Sequence, residues 1–374
     1  MEKPSSAILG LFFGDERLRL ILVLLLLPLW LEASEFTLAE QAANEGRYRD
    51  VVDLLSAALD SGELNDNSRL VAFSNRGIAY SLLNAYGLAK QDLNRALKIN
   101  PKHDLSLNQL GILAEKVERD YESAANYYEI AVEARFPPSE ANLAHLYRMG
   151  LGVPQNRTRA FELYRSAVAH GYKMALTPLA QMYLGGEGTS RNAKQARNLF
   201  KQATAEGVIN AHYLLGMMME RGTGGPRDLK QAVENYLIAA TQGHGEAQNA
   251  LGYMYRRGAG VKQDLIEAAR WYDLAAEQGI LGAKNRLSWL LAGCPTRKIC
   301  DGERAVELAL EVVAQSPAPG HRDSLAAAYA RVGNFDSAVS TMREVLADSS
   351  IESSRRIVFQ RRLDGYKNGI PNQL

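Results

Sequence analysis

Cys294 and Cys300 are the only two cysteines in the chain, set five residues apart as Cys-x5-Cys. In an oxidising compartment a pair so near in sequence is a candidate small-loop disulfide. Short spacing does not by itself guarantee the Cα separation that a disulfide needs, and two free, partly buried thiols are the alternative. No histidine pair stands nearby, so the two thiols are a poor zinc signal. His103, His145, His170, His212, His244 and His321 are scattered, and none forms a His-Glu-x-x-His or His-x-His arrangement. His170 and His244 flank Gly171 and Gly243, where an imidazole suits the negative end of a helix dipole. Gly222-Thr223-Gly224-Gly225 has the glycine content of a phosphate loop, but neither a Gly-Lys-Ser/Thr nor a preceding strand accompanies it. Gly-x-Ser-x-Gly is absent, and neither cysteine has a nucleophile's context. The expectation is a chain with no catalytic residue, no cofactor and no metal ligand. Asn156-Arg157-Thr158 is a glycosylation triplet, relevant only in a eukaryotic secretory pathway.

The elements that carry these residues follow from a period. Gly171, Gly207, Gly243 and Gly279 are spaced by 36, as are Tyr164, Phe200, Tyr236 and Tyr272. Leu143, Leu179, Leu215, Leu251 and Leu287 keep the same step, and so do Ala160, Ala196, Ala232 and Ala268. Gly150, Gly186, Gly222 and Gly258 form a further series, each followed two residues later by another glycine. So many position classes on one period specify a repeat architecture. In each unit a first helix, such as the one carrying Leu215, Met218 and Met219, ends at a Gly-x-Gly loop. A second helix then carries small alanines and one aromatic before its own closing glycine. One such hairpin cannot bury its apolar face, so stacking is obligatory.

At this level the chain resembles the Sel-one-like repeat of the tetratricopeptide superfamily. Ala250–Gly279, ALGYMYRRGAGVKQDLIEAARWYDLAAEQG, carries its Leu-Gly, Tyr, Gly-x-Gly, Ala, Tyr, Ala-Ala and Gly positions. The flanks are similar to the 34-residue tetratricopeptide pattern. Gly77, Tyr80, Ala89, Leu93, Ala96 and Pro101 stand at its offsets, and a unit with Gly111, Tyr121, Ala124 and Tyr128 holds one inserted residue. The resemblance implies an all-α fold, a right-handed α-solenoid of stacked helical hairpins. The expected layout is a signal peptide or signal anchor over 1–33, three tetratricopeptide-like repeats over 34–137 and four Sel-one-like repeats over 138–282. A divergent junction with the cysteine pair (283–318), a last tetratricopeptide-like repeat (319–350) and a capping helix with a tail (351–374) complete it. Ser316–Gly320 is expected to separate the junction from the last repeat.

The Leu20–Leu31 run is 12 uncharged residues preceded by Arg17 and Arg19. A spanning helix needs about 20, whereas 12 suits the apolar core of a signal peptide, with cleavage expected between Ala33 and Ser34. Export to the periplasm or secretion is therefore expected, with a membrane-anchored or cytoplasmic chain as alternatives. Membrane contact would then run only through this segment, if it is retained. Forty-three basic against 42 acidic residues give a net charge of +1, so nothing in the balance announces nucleic acid.

Matching Gly252 to the consensus glycine places Asn249, Tyr253, Arg256 and Arg257 on the concave face, which the first helices line. Tyr213, Glu220 and Arg221 are the equivalents one repeat earlier, preceded by Gln181 and by His145 with Arg148. Tyrosine and arginine are enriched at binding hot spots, so this strip is the candidate surface for an extended or acidic partner segment. Some tetratricopeptide proteins clamp a partner's C-terminal carboxylate with a Lys and an Asn; Ser74 and Ile78 stand at those places here. The expected function is a non-enzymatic protein–protein interaction scaffold of the cell envelope or secretory compartment. A cytoplasmic signalling adaptor of the same fold and a cell-wall-related hydrolase are the alternatives.

Overall fold

The computed structural model describes residues 32–293 and 297–371. The described residues contain 19 α-helices and no strand, and the helices follow one another as packed pairs. The Leu20–Leu31 run and Cys294 lie outside the described residues. No helix among the described residues is long and apolar enough to cross a membrane.

The chain divides into two compact units, the first ending at Val208 and the second starting at Ile209. In the first unit the hairpins are α1 (Glu32–Asn44) with α2 (Tyr48–Asp60), α3 (Asp66–Leu82) with α4 (Tyr86–Ile99), and α5 (Asp104–Leu113) with α6 (Tyr121–Glu133). They continue as α7 (Pro137–Met149) with α8 (Arg157–Ala169) and α9 (Leu176–Gly185) with α10 (Ala193–Ala205). The second unit holds α11 (Ile209–Arg221) with α12 (Leu229–Thr241), α13 (Gly245–Arg257) with α14 (Leu265–Glu277), and α15 (Leu281–Gly293) with α16 (Gly302–Gln315). The last hairpin, α17 (Pro319–Arg331) with α18 (Phe335–Ala347), is followed by the single helix α19 (Ser353–Lys367). Helix α1 runs through Ala33–Ser34 and buries Phe36, Ala39, Ala42 and Ala43 beyond that bond. Cleavage at the expected bond would therefore leave the apolar face of α1 in place.

The periodic positions are the core. Leu143, Leu179, Leu215, Leu251 and Leu287 are buried, together with Ala160, Ala196, Ala232 and Ala268 and the aromatics Tyr164, Phe200, Tyr236 and Tyr272. The glycine of the first helix exists for the aromatic of the second. A Cβ at Gly216 would stand 2.8 Å from the Tyr236 ring, and one at Gly252 would stand 2.7 Å from the Tyr272 ring. Those distances exclude any larger residue without moving the ring.

A further periodic device governs the hairpin loops. Asn156, Asn192, Asp228 and Asp264 are each the N-cap of a second helix, and each accepts the backbone N–H three residues on. The residue before each cap turns back on the first helix. Gln155, Arg191, Arg227 and Gln263 donate to the carbonyls of Arg148, Leu184, Glu220 and Arg256 at 2.9–3.1 Å. One dipeptide thus satisfies orphan groups at the end of one helix and the start of the next. Asn156, the residue of the glycosylation triplet, is the first of these caps.

Two departures from the expected layout have physical causes. The residue inserted in the Gly111 unit is absorbed as a π-helical turn over Ala114–Glu118, which ends at Arg119 in the left-handed conformation. An extra residue inside a helix widens one turn rather than breaking the hairpin. The Ser316–Gly320 stretch is the short connection between two hairpins that pack together. Ser316 closes α16, Pro319 opens α17 as a first-turn proline, and α17 packs on both α15 and α16. The junction is an ordinary hairpin with a 3-10 turn, Arg297–Ile299, in its connection. Beyond Asp348 the expected capping helix is α19. It buries Phe359, Leu363 and Tyr366 and leaves Ile357 and Val358 exposed.

Candidate interaction surface

His145, Arg148 and Gln181 belong to the first unit. They sit half-buried on α7 and α9, with His145 held toward its neutral form by burial. The structure brings Arg148 and Gln181 together but occupies both internally. Arg148 donates from Nε and Nη2 to the two carboxylate oxygens of Glu187, each at 2.8 Å, and from Nη1 to Gln181 Oε1 at 3.4 Å. This is a bidentate charge-assisted pair, and the Arg148 hydrogen bonds hold the Glu187 carboxyl below its ordinary range. Ser74 and Ile78 are buried, with Ser74 accepting from the Ser106 hydroxyl at 3.2 Å. Neither reaches outward as a carboxylate clamp requires.

The other predicted residues belong to the second unit. Tyr213 on α11 stacks on the His244 ring, 4.9 Å between centroids, and its hydroxyl is pushed up by burial. Glu220 accepts from the Tyr236 hydroxyl at 2.7 Å, while Arg221 is exposed at the end of α11. On α13, Tyr253 is ringed by guanidinium groups. Arg256 lies 5.7 Å from its centroid, and Arg257 and Arg286 each lie 6.0 Å from it. Arg286 reaches from α15 and also donates to Asn249 Oδ1 at 2.7 Å. None of these three arginines has a carboxylate partner among the described residues, and the Nε of Arg256 is buried without an acceptor. Elsewhere in the unit Arg304 pairs with Asp273, Arg270 with Glu267 and Arg362 with Asp323.

Sequence reasoning missed Arg286 and Glu187. Asn285 and Trp289 repeat Asn249 and Tyr253 at the 36-residue step, and that register placed α15 on this face. The altered Gly-x-Gly loop after Gly293 hid it. Glu187 lies inside a Gly-Glu-Gly loop, where only the tertiary fold shows its reach to Arg148. One pattern across units was legible but unread. The residue four positions after the small first-helix residue is charged in four hairpins (Glu115, Arg148, Glu220 and Arg256), beside a tyrosine of the second helix. Tyr128 donates to Glu115 at 3.0 Å as Tyr236 does to Glu220, and Arg256 lies against Tyr272.

The histidines at the closing glycines divide. His170 ends α8 and pairs with the buried Glu140 at 3.0 Å, as a basic residue at that end should. His244 instead opens α13. Its Nδ1 accepts the Ala247 N–H at 3.2 Å and its Nε2 faces Asn210 Oδ1 at 3.2 Å. It therefore faces the positive end of a helix, and burial lowers its pKa below the ordinary histidine value of 6.5. Only the neutral ring can accept at Nδ1. The stability that this cap contributes is present above pH 6.5 and is lost as pH falls through the lowered folded value. We expect the second unit to lose about 1 kcal/mol from this cap between pH 7 and pH 5. His244→Asn should keep the cap and remove that part of the pH dependence. Urea melts of both chains at the two pH values check this, and equal losses would refute it.

The described residues hold no cluster of three or more histidine, cysteine or acidic side chains placed to bind a metal ion. They include no free cysteine, and Cys300 is disulfide-bonded.

Comparison with known proteins identifies the repeats. The Sel1 repeat model matches residues 106–135, 137–172, 173–208, 209–244 and 245–280. The first of these is the unit with the π-turn, which sequence reasoning grouped with the tetratricopeptide-like repeats. A protective antigen of uropathogenic Escherichia coli displaying an SLR fold superposes with a TM-score of 0.59. It is 22% identical, and the match covers 86% of this chain and 76% of that one. A Sel1 repeat protein from Oxalobacter formigenes superposes with a TM-score of 0.56 at 27% identity, covering 64% of this chain and 96% of that one. A lipoprotein NlpI homolog of Haemophilus influenzae is 33% identical over 97 residues, which are 26% of this chain and 31% of that protein. The chain thus spans less than a third of the length of that curated relative. Sel1-repeat proteins generally mediate protein–protein interaction, and their scaffold is typically non-catalytic. Residues 106–280 of this chain therefore carry five Sel1 repeats, in stacked hairpins like those of the solved Sel1-repeat structures and on a core built on the 36-residue step.

Proposed function

We propose that this chain is an exported, non-enzymatic scaffold of the cell envelope or secretory compartment, and that it docks partner proteins on the first-helix faces of its hairpins. The observation that carries the reading is the face of α13 and α15. It presents Tyr253, Asn249 and three arginines without carboxylate partners among the described residues, where Arg148 of the same strip is neutralised inside its own unit. Aromatic and arginine side chains gathered on one face suit a protein partner.

Export is supported by the Leu20–Leu31 run behind Arg17 and Arg19 and by the likeness to a protein named as a lipoprotein. The bonded state of Cys300 points the same way, because such bonds persist in oxidising compartments. The chain has two cysteines, so we assign the bond as Cys294–Cys300. Intact mass of the chain recovered from fractionated cells tests this. The expected product starts at Ser34 and is lighter by two hydrogens until a reductant is added. In-cell cross-linking before recovery should trap a defined partner. A full-length cytosolic chain with two free thiols and no cross-linked partner would refute the reading.

A further inference from the structure

The arginines around Tyr253 have a consequence for what the second unit binds. Like charges gathered on one ring repel one another, and a neighbouring acid of the same chain normally offsets them. Arg304, Arg270 and Arg362 each have that acid; Arg256, Arg257 and Arg286 have none among the described residues. Glu220, on the same face one hairpin earlier, is engaged by the Tyr236 hydroxyl. Asn249 meets Arg286 through its amide oxygen, a neutral acceptor that leaves the positive charge in place. Arg257 is exposed and Arg256 and Arg286 are half-buried, so the group is open on one side. The quadrupole of the Tyr253 ring gathers the three guanidinium groups, and a guanidinium receives a carboxylate in bidentate fashion.

We infer that Arg256, Arg257 and Arg286, held on Tyr253, form an anchor for an acidic segment of a partner protein with two or more neighbouring carboxylates. This rests on the scaffold reading and deepens it. It departs from the known clamp of the wider superfamily, whose places are filled here by Ser74 and Ile78 in the other unit. A nucleic acid is the poorer occupant. Three guanidinium groups already crowd the Tyr253 ring on which a base would stack, and the chain carries a net charge of only +1.

The test uses the full chain and a fluorescein-labelled peptide with four consecutive glutamates in a Gly/Ser frame. The expected result is saturable binding that weakens with added salt and that a four-lysine peptide does not compete. Arg257→Gln should weaken it about tenfold, and Arg256→Gln/Arg257→Gln/Arg286→Gln should abolish it. Arg304→Gln, whose pair with Asp273 lies outside the anchor, should leave it unchanged. Circular dichroism melts confirm that each variant is folded, and the exposed Arg257 keeps the test alive should the triple variant unfold. Absence of binding by the unaltered chain, equal binding by Arg257→Gln, or equal competition by inorganic phosphate or oligo-dT would overturn the anchor. None of these would touch the scaffold reading, which stands or falls on in-cell cross-linking.

Discussion

Gly260→Ala is expected to destabilise the second unit by about 3 kcal/mol, whereas Gly243→Ala should cost about 1 kcal/mol. Both glycines have a left-handed backbone, with φ of 76° and 83°. An alanine pays about 1–2 kcal/mol for that conformation at either place. The two differ in what a Cβ would meet. At Gly243 nothing lies within 4 Å. At Gly260 the Cβ would fall well under 3.0 Å from the carbonyl oxygen of Leu229, the first residue of α12. That atom is backbone at the start of a helix in the preceding hairpin and cannot swing aside, so an overpacking cost of about 1–3 kcal/mol is added. The second glycine of this Gly-x-Gly loop is therefore a joint between hairpins. Gly152 and Gly188 meet the first residues of α6 and α8 in the same way. Calorimetry should show Gly260→Ala melting about 6–12 °C below the unaltered chain, with Gly243→Ala between them. Coincident melts of the two variants would show that the joint is not under compression.

Arg362→Ala is the second large effect. Arg362 reaches from α19 to pair with Asp323 on α17. Its guanidinium also lies 4.5 Å from the Trp289 ring centroid and 6.0 Å from that of Phe359. Asp323 is buried, and burial pushes its carboxyl above the ordinary range while Arg362 opposes that rise. Removing Arg362 strands the carboxylate. The expected loss is about 3 kcal/mol at pH 7, within the range for breaking a buried pair. The sign with pH is fixed. A carboxyl whose folded pKa is raised favours the folded state below that value and loses the advantage as pH rises through it. The deficit of Arg362→Ala should therefore shrink on acidification as Asp323 takes up a proton. Asp323→Asn in the Arg362→Ala background should recover most of it at pH 7. Hydrogen exchange locates the damage, with α19 amides losing protection first. Unchanged exchange in α19, or a deficit that grows in acid, would sink the account.

Arg362 and the Tyr253 anchor are two solutions to one arrangement. Trp289 stands 36 residues after Tyr253, and both aromatics carry arginine. At Trp289 the arginine comes from the capping helix and brings its charge to a buried aspartate. At Tyr253 the arginines have no such acid among the described residues, which is why that position, and not Trp289, is the one assigned to a partner.

The amino-acid sequence by itself determined the hairpins, their period and their core. Each is enforced within about 36 residues by a glycine that admits a ring, an alanine that admits a neighbouring helix and a glycine that ends one. Those signals are local and repeat, so Tyr253, Arg256, Arg257 and Asn249 could be placed on one face by register alone. Other facts required the tertiary structure. That Arg148 is consumed by Glu187 and that Arg286 completes the ring around Tyr253 are both contacts between hairpins. So is the placement of Arg362 on Trp289. The period states which face a side chain shares, but charge pairing depends on which long side chain from the next hairpin reaches it. That reach is set by the packing of one repeat on another, which register alone does not encode.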